Sequence, residues 1–449
     1  MKKKLFALLT VGILSLSLLA CAGNGGDDAP ADEPAVTDDA ATTDETPDDT
    51  DADDVAPTSD VTLEFQQWWG VELPEGFLAD LVSRFTDETG IQIELLSNPF
   101  ADTRTQIMAG AATATMADVV GLDGSWVYDF ANQGAISNLT QLMADIGMDD
   151  SELSAQVQFE GNTYMIPATN FAYPMFVNLD ILEEAGITDM PTTWSEFIAA
   201  SEQVVANTDA SGFAIPLEAS SPHGVQNQYL SWLWASGGRF MEDGRPNLVG
   251  NSDLIATTEF VKDMFDNGVI APGSFTMREQ DMVEEFTNGR VAFMISSLAH
   301  LFMITEGAPD MNIGFIDIPV MDGYTGQSGM TVANWGLGVA ANSPHQEEAM
   351  MFIEFLLSPE INSALVVAAS AFPGNVNADP DYSASPPLFL DAFEIFQRNF
   401  AINEFTGLPT AEDLMRSMNE ELLLFLDGDT ATVGEMLEAT QARWEPVFN

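Results

Sequence analysis

Hydrophobic and polar positions follow two different periods in the part of the chain that begins after residue 60. Residues 61–65 and 91–95 alternate apolar and polar side chains, which predicts two strands. Apolar residues recur at helical spacing over 77–85, and the Ala-rich stretch 103–116 predicts a second helix. Residues 117–120 predict a third strand. This order predicts a parallel α/β unit, in which ligands bind beyond the carboxyl ends of the strands.

The stretch 160–198 changes from strand to helix periodicity. Glu160-Gly161-Asn162 predicts a hairpin turn, and the short apolar run that follows predicts a strand that Pro167 ends. A second apolar run covers 173–177. A strand that stops, crosses over and restarts is expected between two lobes.

Two helix starts follow in the same stretch. Asn178 is placed to cap a helix over 180–185, which Gly186 ends. Thr193 is placed to cap the next helix, with Glu196 three positions on as the partner in a capping box.

The later part of the chain is mostly helical in pattern. Residues 313–319 predict a strand ended by proline, which we interpret as the return crossover. The predicted organisation is an α/β fold of two lobes with a ligand cleft between them, joined by crossover strands. The N-lobe would comprise 61–168 and 319–358, and the C-lobe 169–318 and 359–449.

The chain starts with a segment of different character. Lys2, Lys3 and Lys4 precede the uncharged stretch 5–20, and then comes Cys21, the only cysteine. This pattern predicts a lipoprotein signal peptide over 1–20, with Cys21 as the lipid attachment point on the outer face of the cell membrane. An uncleaved membrane anchor is the alternative. The acidic, aromatic-free stretch up to residue 60 predicts a disordered tether over 21–60.

Charge narrows the function. The chain has 449 residues, 70 of them acidic and 13 basic; 14 acidic residues and three Lys precede residue 61, so residues 61–449 carry a net charge of −46. Nucleic-acid binding needs basic phosphate contacts and is excluded, and anionic ligands are disfavoured. An acidic surface suited to a salty or alkaline exterior accounts for this charge, and a polyamine or other cationic ligand is the alternative.

Several of these motifs together resemble a known family. Gly-x-x-Tyr-x-Ile-Pro at 161–167, the strand that ends in Asn178-Leu179-Asp180, and Pro-x-Thr-Trp at 191–194 are similar to the first crossover of family-one extracellular solute-binding proteins. Phe-x-x-Gly-x-x-Ala-Phe at 286–293 is similar to a helix-to-strand turn of the same family. These are maltose-binding-protein-like, sugar-capturing components of ABC importers. The resemblance implies a monomeric binding protein that delivers a sugar to ABC permease subunits.

Aromatic and acidic residues near the predicted strand ends and crossovers are the candidate ligand contacts. A sugar presents C–H faces that pack on aromatic rings and hydroxyls that hydrogen-bond to carboxylates and amides. The resemblance adds the loop 296–300, where family members carry ligand contacts. For the two acids, an ordinary solvated position is the alternative, and only one of Trp232 and Trp234 is expected to reach a cleft. The predicted set is Trp68, Trp69, Glu72, Asp123, Trp126, Asn170, Tyr173, Trp232, Ser297 and Trp335.

The sequence gives little support to an enzyme. The three histidines share no helical spacing, and no nucleophile elbow, phosphate-binding loop or dinucleotide fingerprint occurs. We therefore predict no catalytic residues, no cofactor and no metal. A glycoside hydrolase needs only two carboxylates at a set separation and stays open, as does a surface adhesin. The predicted function is capture of a neutral sugar or oligosaccharide.

Overall fold

The computed structural model describes residues 59–385 and 387–448. The predicted signal peptide, Cys21 and nearly all of the predicted tether lie outside the described residues.

Strands of the described chain fall into two main sheets and one hairpin. In chain order they are β1 (Thr62–Gln67), β2 (Gln92–Ser97), β3 (Val119–Leu122), β4 (Val157–Phe159), β5 (Asn162–Ala172), β6 (Met175–Asn178), β7 (Ser211–Phe213), β8 (Met241–Glu242), β9 (Arg245–Pro246), β10 (Val291–Ile295), β11 (Ile313–Ile316), β12 (Gly329–Val339), β13 (Phe372–Pro373) and β14 (Phe400–Ile402).

Helices connect and cover these strands. They are α1 (Phe77–Thr89), α2 (Phe100–Thr113), α3 (Val127–Asn132), α4 (Leu139–Ile146), α5 (Leu179–Ala185), α6 (Trp194–Asn207), α7 (Leu230–Ala235), α8 (Ser252–Asp266), α9 (Glu279–Thr287), α10 (Leu301–Gly307), α11 (Gln346–Leu357), α12 (Pro359–Ala369), α13 (Pro387–Arg398), α14 (Ala411–Asp427) and α15 (Val433–Trp444).

The first sheet has the strand order β13-β5-β12-β3-β1-β2. Strand β1 is parallel to both β2 and β3, with Phe65 in register with Val119, so the predicted parallel α/β unit is confirmed. Strand β12 runs antiparallel to β3 and to β5. The carboxyl ends of β1 and β3 therefore lie at one edge of this sheet.

The second sheet has the order β11-β6-β10-β7, and the short strands β8 and β9 pair separately. Strand β11, which the sequence suggested as the return crossover, pairs with β6 along its whole length and lies inside this sheet. Residues after it also stay with this sheet, since Val320 exchanges backbone hydrogen bonds with the segment that precedes α6. The interpretation of 313–321 as the return crossover is therefore wrong, and β12 makes that passage.

Separate apolar cores lie on the two sheets and define two lobes. The first lobe is built around a core that runs from Leu63 to Phe171 and resumes from Trp335 to Ala371. The second lobe has two core clusters that begin at Ala172 and Tyr173 and include the C-terminal helices. Helix α12 packs in the first core, whereas the predicted C-lobe began at residue 359. The reason is its buried face, which includes Leu365 and Val366.

Strands β5 and β12 carry the chain between the lobes. Each is 11 residues long, and the pairing runs from Val332–Ala172 to Leu337–Ile166. Pro167 does not end β5 as expected but lies inside it. The register shifts between Trp335 and Gly336 at this point, and such a bulge accommodates a residue that has no N–H to donate.

A third passage between lobes occurs at β13, which the sequence did not indicate. Ala371 lies in the first core, and its neighbour Phe372 lies in the second lobe, where its ring stacks on Phe396 with centroids 4.2 Å apart. Strand β13 pairs with β5 beside the other crossing strand. Three neighbouring strands thus connect the lobes.

Local sequence rules held closely around β5. Glu160 and Gly161 have φ values of 49° and 79°, which gives the predicted turn between β4 and β5. Asn178 caps α5 through the N–H of Ile181, and Thr193 with Glu196 forms the predicted capping box. These signals need only neighbouring residues, so they are readable without tertiary information.

Membrane-spanning character was tested on the described helices. No single helix there is long and apolar enough to cross a bilayer. The pair α11 and α12 reaches that length and hydropathy only together, across a bend of 67°.

Candidate ligand-binding site

Two loops that follow parallel strands of the first sheet lie together at the boundary between the lobes. Trp68 and Trp69 directly follow β1, and Asp123 and Trp126 follow β3. The rings of Trp68 and Trp126 meet edge to face with centroids 5.5 Å apart. The structure therefore brings together residues that the sequence could only place at the ends of separate strands.

Trp335 joins this aromatic group from the crossing strand β12. Its ring stacks on Trp69 with centroids 5.3 Å apart and an interplanar angle of 11°, and the ring of Phe171 lies 4.8 Å away. Trp335 is 3% exposed and Trp69 is fully buried. The pair forms a flat aromatic surface at the hinge.

Acidic groups of both lobes act on Tyr173, the first residue after β5. Glu72 and Asp123 come from the first lobe, and Glu279 comes from the start of α9 in the second lobe. Burial raises the pKa of the Tyr173 phenol well above 10, and the charges of Glu279, Asp123 and Glu72 raise it further. The three carboxyl groups are called the acid cluster below.

Two members of the acid cluster hold protons at unusually high pH. Burial raises the pKa of Glu72 to about 8, the charge of Glu279 adds to the rise, and the indole of Trp335 opposes it. Burial, with help from the charge of Asp123, raises the pKa of Glu279 to about 7. Glu279 is half-buried overall, but its Oε1 atom is buried and has no hydrogen-bond partner among the described residues.

Glu279 is a site residue that the sequence reading missed. A helix that precedes a strand and packs antiparallel to it begins at the edge where the strand ends. Helix α9 precedes β10, and Ser297 lies just beyond the carboxyl end of β10. The prediction of Ser297 therefore contained the information that would have placed Glu279 nearby.

Polar side chains of the second lobe complete the surroundings of Tyr173. Ser297 is buried, and its hydroxyl lowers the pKa of Tyr173 by hydrogen bonding. Asn227 donates from Nδ2 to the Tyr173 hydroxyl at 3.4 Å, and Gln226 donates to Asn227 at 2.9 Å. Gln226 and Asn227 lie in a π-helical turn, Val225–Tyr229, that precedes α7. Such turns are rare and are frequent at functional sites.

Two predicted ligand contacts have other surroundings. Asn170 lies in β5 and is held between its neighbours, since it donates to the Pro373 carbonyl at 3.1 Å and accepts from Asn334 at 2.6 Å. Trp232 lies in the second core, where its ring is 4.9 Å from those of both Phe197 and Phe260. Packing against core rings, rather than position at the lobe boundary, explains its complete burial.

A buried carboxylate connects the two lobes beside the aromatic group. Glu412, in the first turn of α14, is 4% exposed. It accepts a hydrogen bond from the Trp126 indole at 3.1 Å and pairs with Arg104 of α2 at 2.5 Å. Arg416 and His223 of the second lobe lie 3.7 Å and 3.9 Å from the same carboxylate. We call Glu412, Arg104 and Trp126 the interlobe latch; the sequence gave no sign of it.

Metal-binding potential was assessed over the described part of the chain. There, no group of three or more His, Cys, Asp and Glu side chains is arranged to hold a metal ion. The acid cluster is thus spread over the site rather than converging on one point.

The fold and this boundary site coincide with a family match. The model of the bacterial extracellular solute-binding proteins matches residues 70–363, which include most of the first lobe and the crossing strands. The chain belongs to this family. Its members are binding proteins, and the family resemblance inferred from the crossover motifs is confirmed.

Two curated relatives illustrate the range of this solute-binding protein's similarity. A binding protein of Brucella abortus (strain 2308) is 27% identical over 57% of this chain, and the match spans 61% of the relative's own length. The diacetylchitobiose binding protein DasA of Streptomyces coelicolor is 24% identical over 83% of this chain and 82% of its own.

A solved structure shows the same fold. The GacH receptor of Streptomyces glaucescens GLA.O, determined unliganded and in complex with acarbose, superposes with a TM-score of 0.71 at 19% identity. The match covers 86% of this chain and 98% of that one. The expectation of a two-lobed, maltose-binding-protein-like α/β fold is therefore confirmed.

Proposed function

We propose that this solute-binding protein captures a sugar or oligosaccharide between its lobes and delivers it to the permease of an ABC importer. The observation that carries the proposal is the meeting of aromatic and hydrogen-bonding groups from both lobes around Tyr173. Trp69 and Trp335 offer a stacked aromatic surface, and the acid cluster with Asn227 offers acceptors and donors. Sugars need both kinds of contact.

The named relatives support a carbohydrate. DasA is a diacetylchitobiose binding protein, and the structural neighbour GacH was solved with acarbose. Both names describe those proteins, and the chemistry of this chain's site is compatible with a ligand of that class.

Closure of the lobes would supply much of the affinity and selectivity. The three connecting strands β5, β12 and β13 can absorb a hinge rotation, which is a common way for two-lobed binding proteins to enclose a ligand. Binding by closure involves no covalent step, so we propose no catalytic residues.

Location and partners form part of the proposal. Lys2–Lys4, the apolar stretch 5–20 and Cys21 support a lipid anchor on the outer face of the cell membrane. Mass spectrometry of the membrane-extracted protein should find lipid on Cys21. A protein recovered with Met1 and no lipid would refute the anchor.

A thermal-shift screen of the purified protein against sugars, amines and metal ions tests the ligand class. We expect a sugar or an oligosaccharide to give the largest stabilisation, because a ligand that binds only the folded state raises the unfolding temperature. Stabilisation by carbohydrate-free amines or metals alone would refute the carbohydrate proposal. Accumulation of cleaved oligosaccharide during incubation would instead indicate a glycoside hydrolase.

A further inference from the structure

The charges that surround the ligand site have one sign. Glu72 and Glu279 are shifted by each other and by Asp123, and no basic side chain of the described chain contributes to either shift. Arg278 directly precedes Glu279 but is exposed and acts on Glu218. Arg104, the basic residue of the interlobe latch, is paired with Glu412. The acid cluster therefore has no protein counter-charge.

Unsatisfied hydrogen-bonding atoms point to the same need. Oε1 of Glu279 and Oε1 of Gln226 are both buried and have no hydrogen-bond partner among the described residues. Gln226 is 1% exposed, and its amide N–H₂ group is joined through Asn227 to the Tyr173 hydroxyl. Both unsatisfied atoms are acceptors, and an acceptor buried without a donor is costly. The site lacks donors.

A protonated amine supplies what these groups lack. An ammonium group carries three N–H donors and one positive charge, whereas a hydroxyl donates once and is neutral. Hydrogen bonds between ammonium and carboxylate are also roughly twice as strong as neutral ones. A neutral sugar would leave the mutual repulsion of the acid cluster in place.

We propose that the carbohydrate taken up in this cleft carries a protonated amine, which binds against Glu72 and Glu279 while its rings pack on the aromatic surface. This inference rests on the proposed function. The spread of the acid cluster over both lobes suits an amino sugar or an oligosaccharide of amino sugars. The net charge of −46 on residues 61–449 would draw such a cation toward the protein.

Calorimetry of the purified full-length protein with matched ligands tests the inference at pH 6, where sugar amines are protonated. The panel is glucosamine, galactosamine, mannosamine and β-1,4-linked glucosamine dimers and trimers, each beside its N-acetylated and its hydroxyl counterpart, together with putrescine and spermidine. We expect the tightest ligand to be an amino sugar that binds at least 10-fold more tightly than both counterparts. A neutral or N-acetylated sugar as the tightest ligand overturns this inference and leaves the proposed function standing.

Other outcomes separate the two proposals. Tight binding of putrescine or spermidine alone refutes the carbohydrate and therefore both proposals as stated, and absence of binding across the panel also overturns both. Glu279→Gln removes a charge with little change in shape, so it should weaken amino-sugar binding at least 10-fold relative to the matched N-acetylated sugar. Glu284→Gln, at an exposed position of the same helix, is the control and should change neither. An equal loss for both sugars in Glu279→Gln would show a structural role and refute the inference.

Discussion

Trp69 and Trp335 are 266 positions apart in the sequence, yet their rings lie nearly parallel with centroids 5.3 Å apart. Trp69 belongs to the loop after the first strand, and Trp335 to a strand that connects the lobes. The stacked pair thus joins the first lobe to the hinge. The Trp335 indole also acts on Glu72, so the aromatic surface and the acid cluster share a residue.

Replacing Trp335 by Ala should affect both stability and ligand binding. The change removes the stacking on Trp69 and the contact with Phe171, and it leaves a cavity that costs about 3–5 kcal/mol in the free energy of unfolding. Affinity for the carbohydrate that gives the largest thermal shift should fall at least 10-fold. Urea unfolding and calorimetry measure the two effects.

Trp194 offers a matched control in the second lobe. Its ring stacks on Phe260 with centroids 4.5 Å apart, and it is 6% exposed. Trp194→Ala should destabilise the protein to a similar degree but leave ligand affinity within about 3-fold of the wild type. If both variants lose affinity equally, the aromatic surface at Trp335 has no special part in binding.

Glu412 should control lobe closure. Its carboxylate accepts from the Trp126 indole and pairs with Arg104, both in the first lobe, while Glu412 itself belongs to the second. Glu412→Ala leaves Arg104 without its partner, which should cost about 3 kcal/mol in the free energy of unfolding. Opening of the lobes should also speed ligand dissociation about 10-fold, because changes to an interface act mainly on the dissociation rate.

Solution scattering and stopped-flow dissociation check the role of the interlobe latch. The ligand-free Glu412→Ala variant should have a larger radius of gyration than the wild type. Asp413→Ala, whose side chain is 78% exposed one position away, should match the wild type in both measurements. An unchanged radius and dissociation rate in Glu412→Ala would contradict the interlobe latch.

The acid cluster should make the protein less stable as pH rises through neutrality. Glu72 and Glu279 have ordinary pKa values of 4.5, which the folded protein raises to about 8 and about 7. Between pH 4.5 and 8 the folded state therefore binds more protons than the unfolded state, and stability falls as pH rises. The loss should be on the order of 2–3 kcal/mol from pH 5 to pH 8.5.

Urea unfolding at these two pH values, with and without the double change Glu72→Gln and Glu279→Gln, isolates the effect. The double variant should show a much weaker dependence on pH, and Glu75→Gln, at an exposed neighbouring position, should keep the wild-type dependence. Hydrogen bonds lower the pKa of Glu196, so it acts below its ordinary value of 4.5 and outside this window. A wild-type slope in the double variant would refute the assignment.

The success of the sequence predictions depended on how far apart the interacting residues are. The capping box of Thr193 and Glu196 is a local interaction, and it was predicted correctly. The strand-end rule also brought Trp68 and Trp126 to one edge, because parallel strands place their ends together.

Contacts between the lobes had no such local rule. Glu279 and Glu412 act on residues more than a hundred positions away, and in a chain with 70 acidic residues neither stands out by type. Pro167 was misread because the bulge that accommodates it lies on the partner strand at Trp335 and Gly336. The return crossover was misplaced because β11 and β12 are both apolar, and only pairing distinguishes a strand within one lobe from one that connects two.

Gly374 provides the last prediction, at the third passage between the lobes. A Cβ atom there would lie 1.7 Å from the backbone oxygen of Pro167, and its N–H already donates to the Ala168 carbonyl at 3.2 Å. Gly374→Ala should therefore destabilise the protein by about 3 kcal/mol or more, because backbone must move. Gly434→Ala, whose Cβ would meet nothing closer than 3.9 Å in α15, should stabilise it by about 0.5–1 kcal/mol. Urea unfolding measures both changes, and equal stability of the two variants would show that the close approach of β13 to β5 is not required.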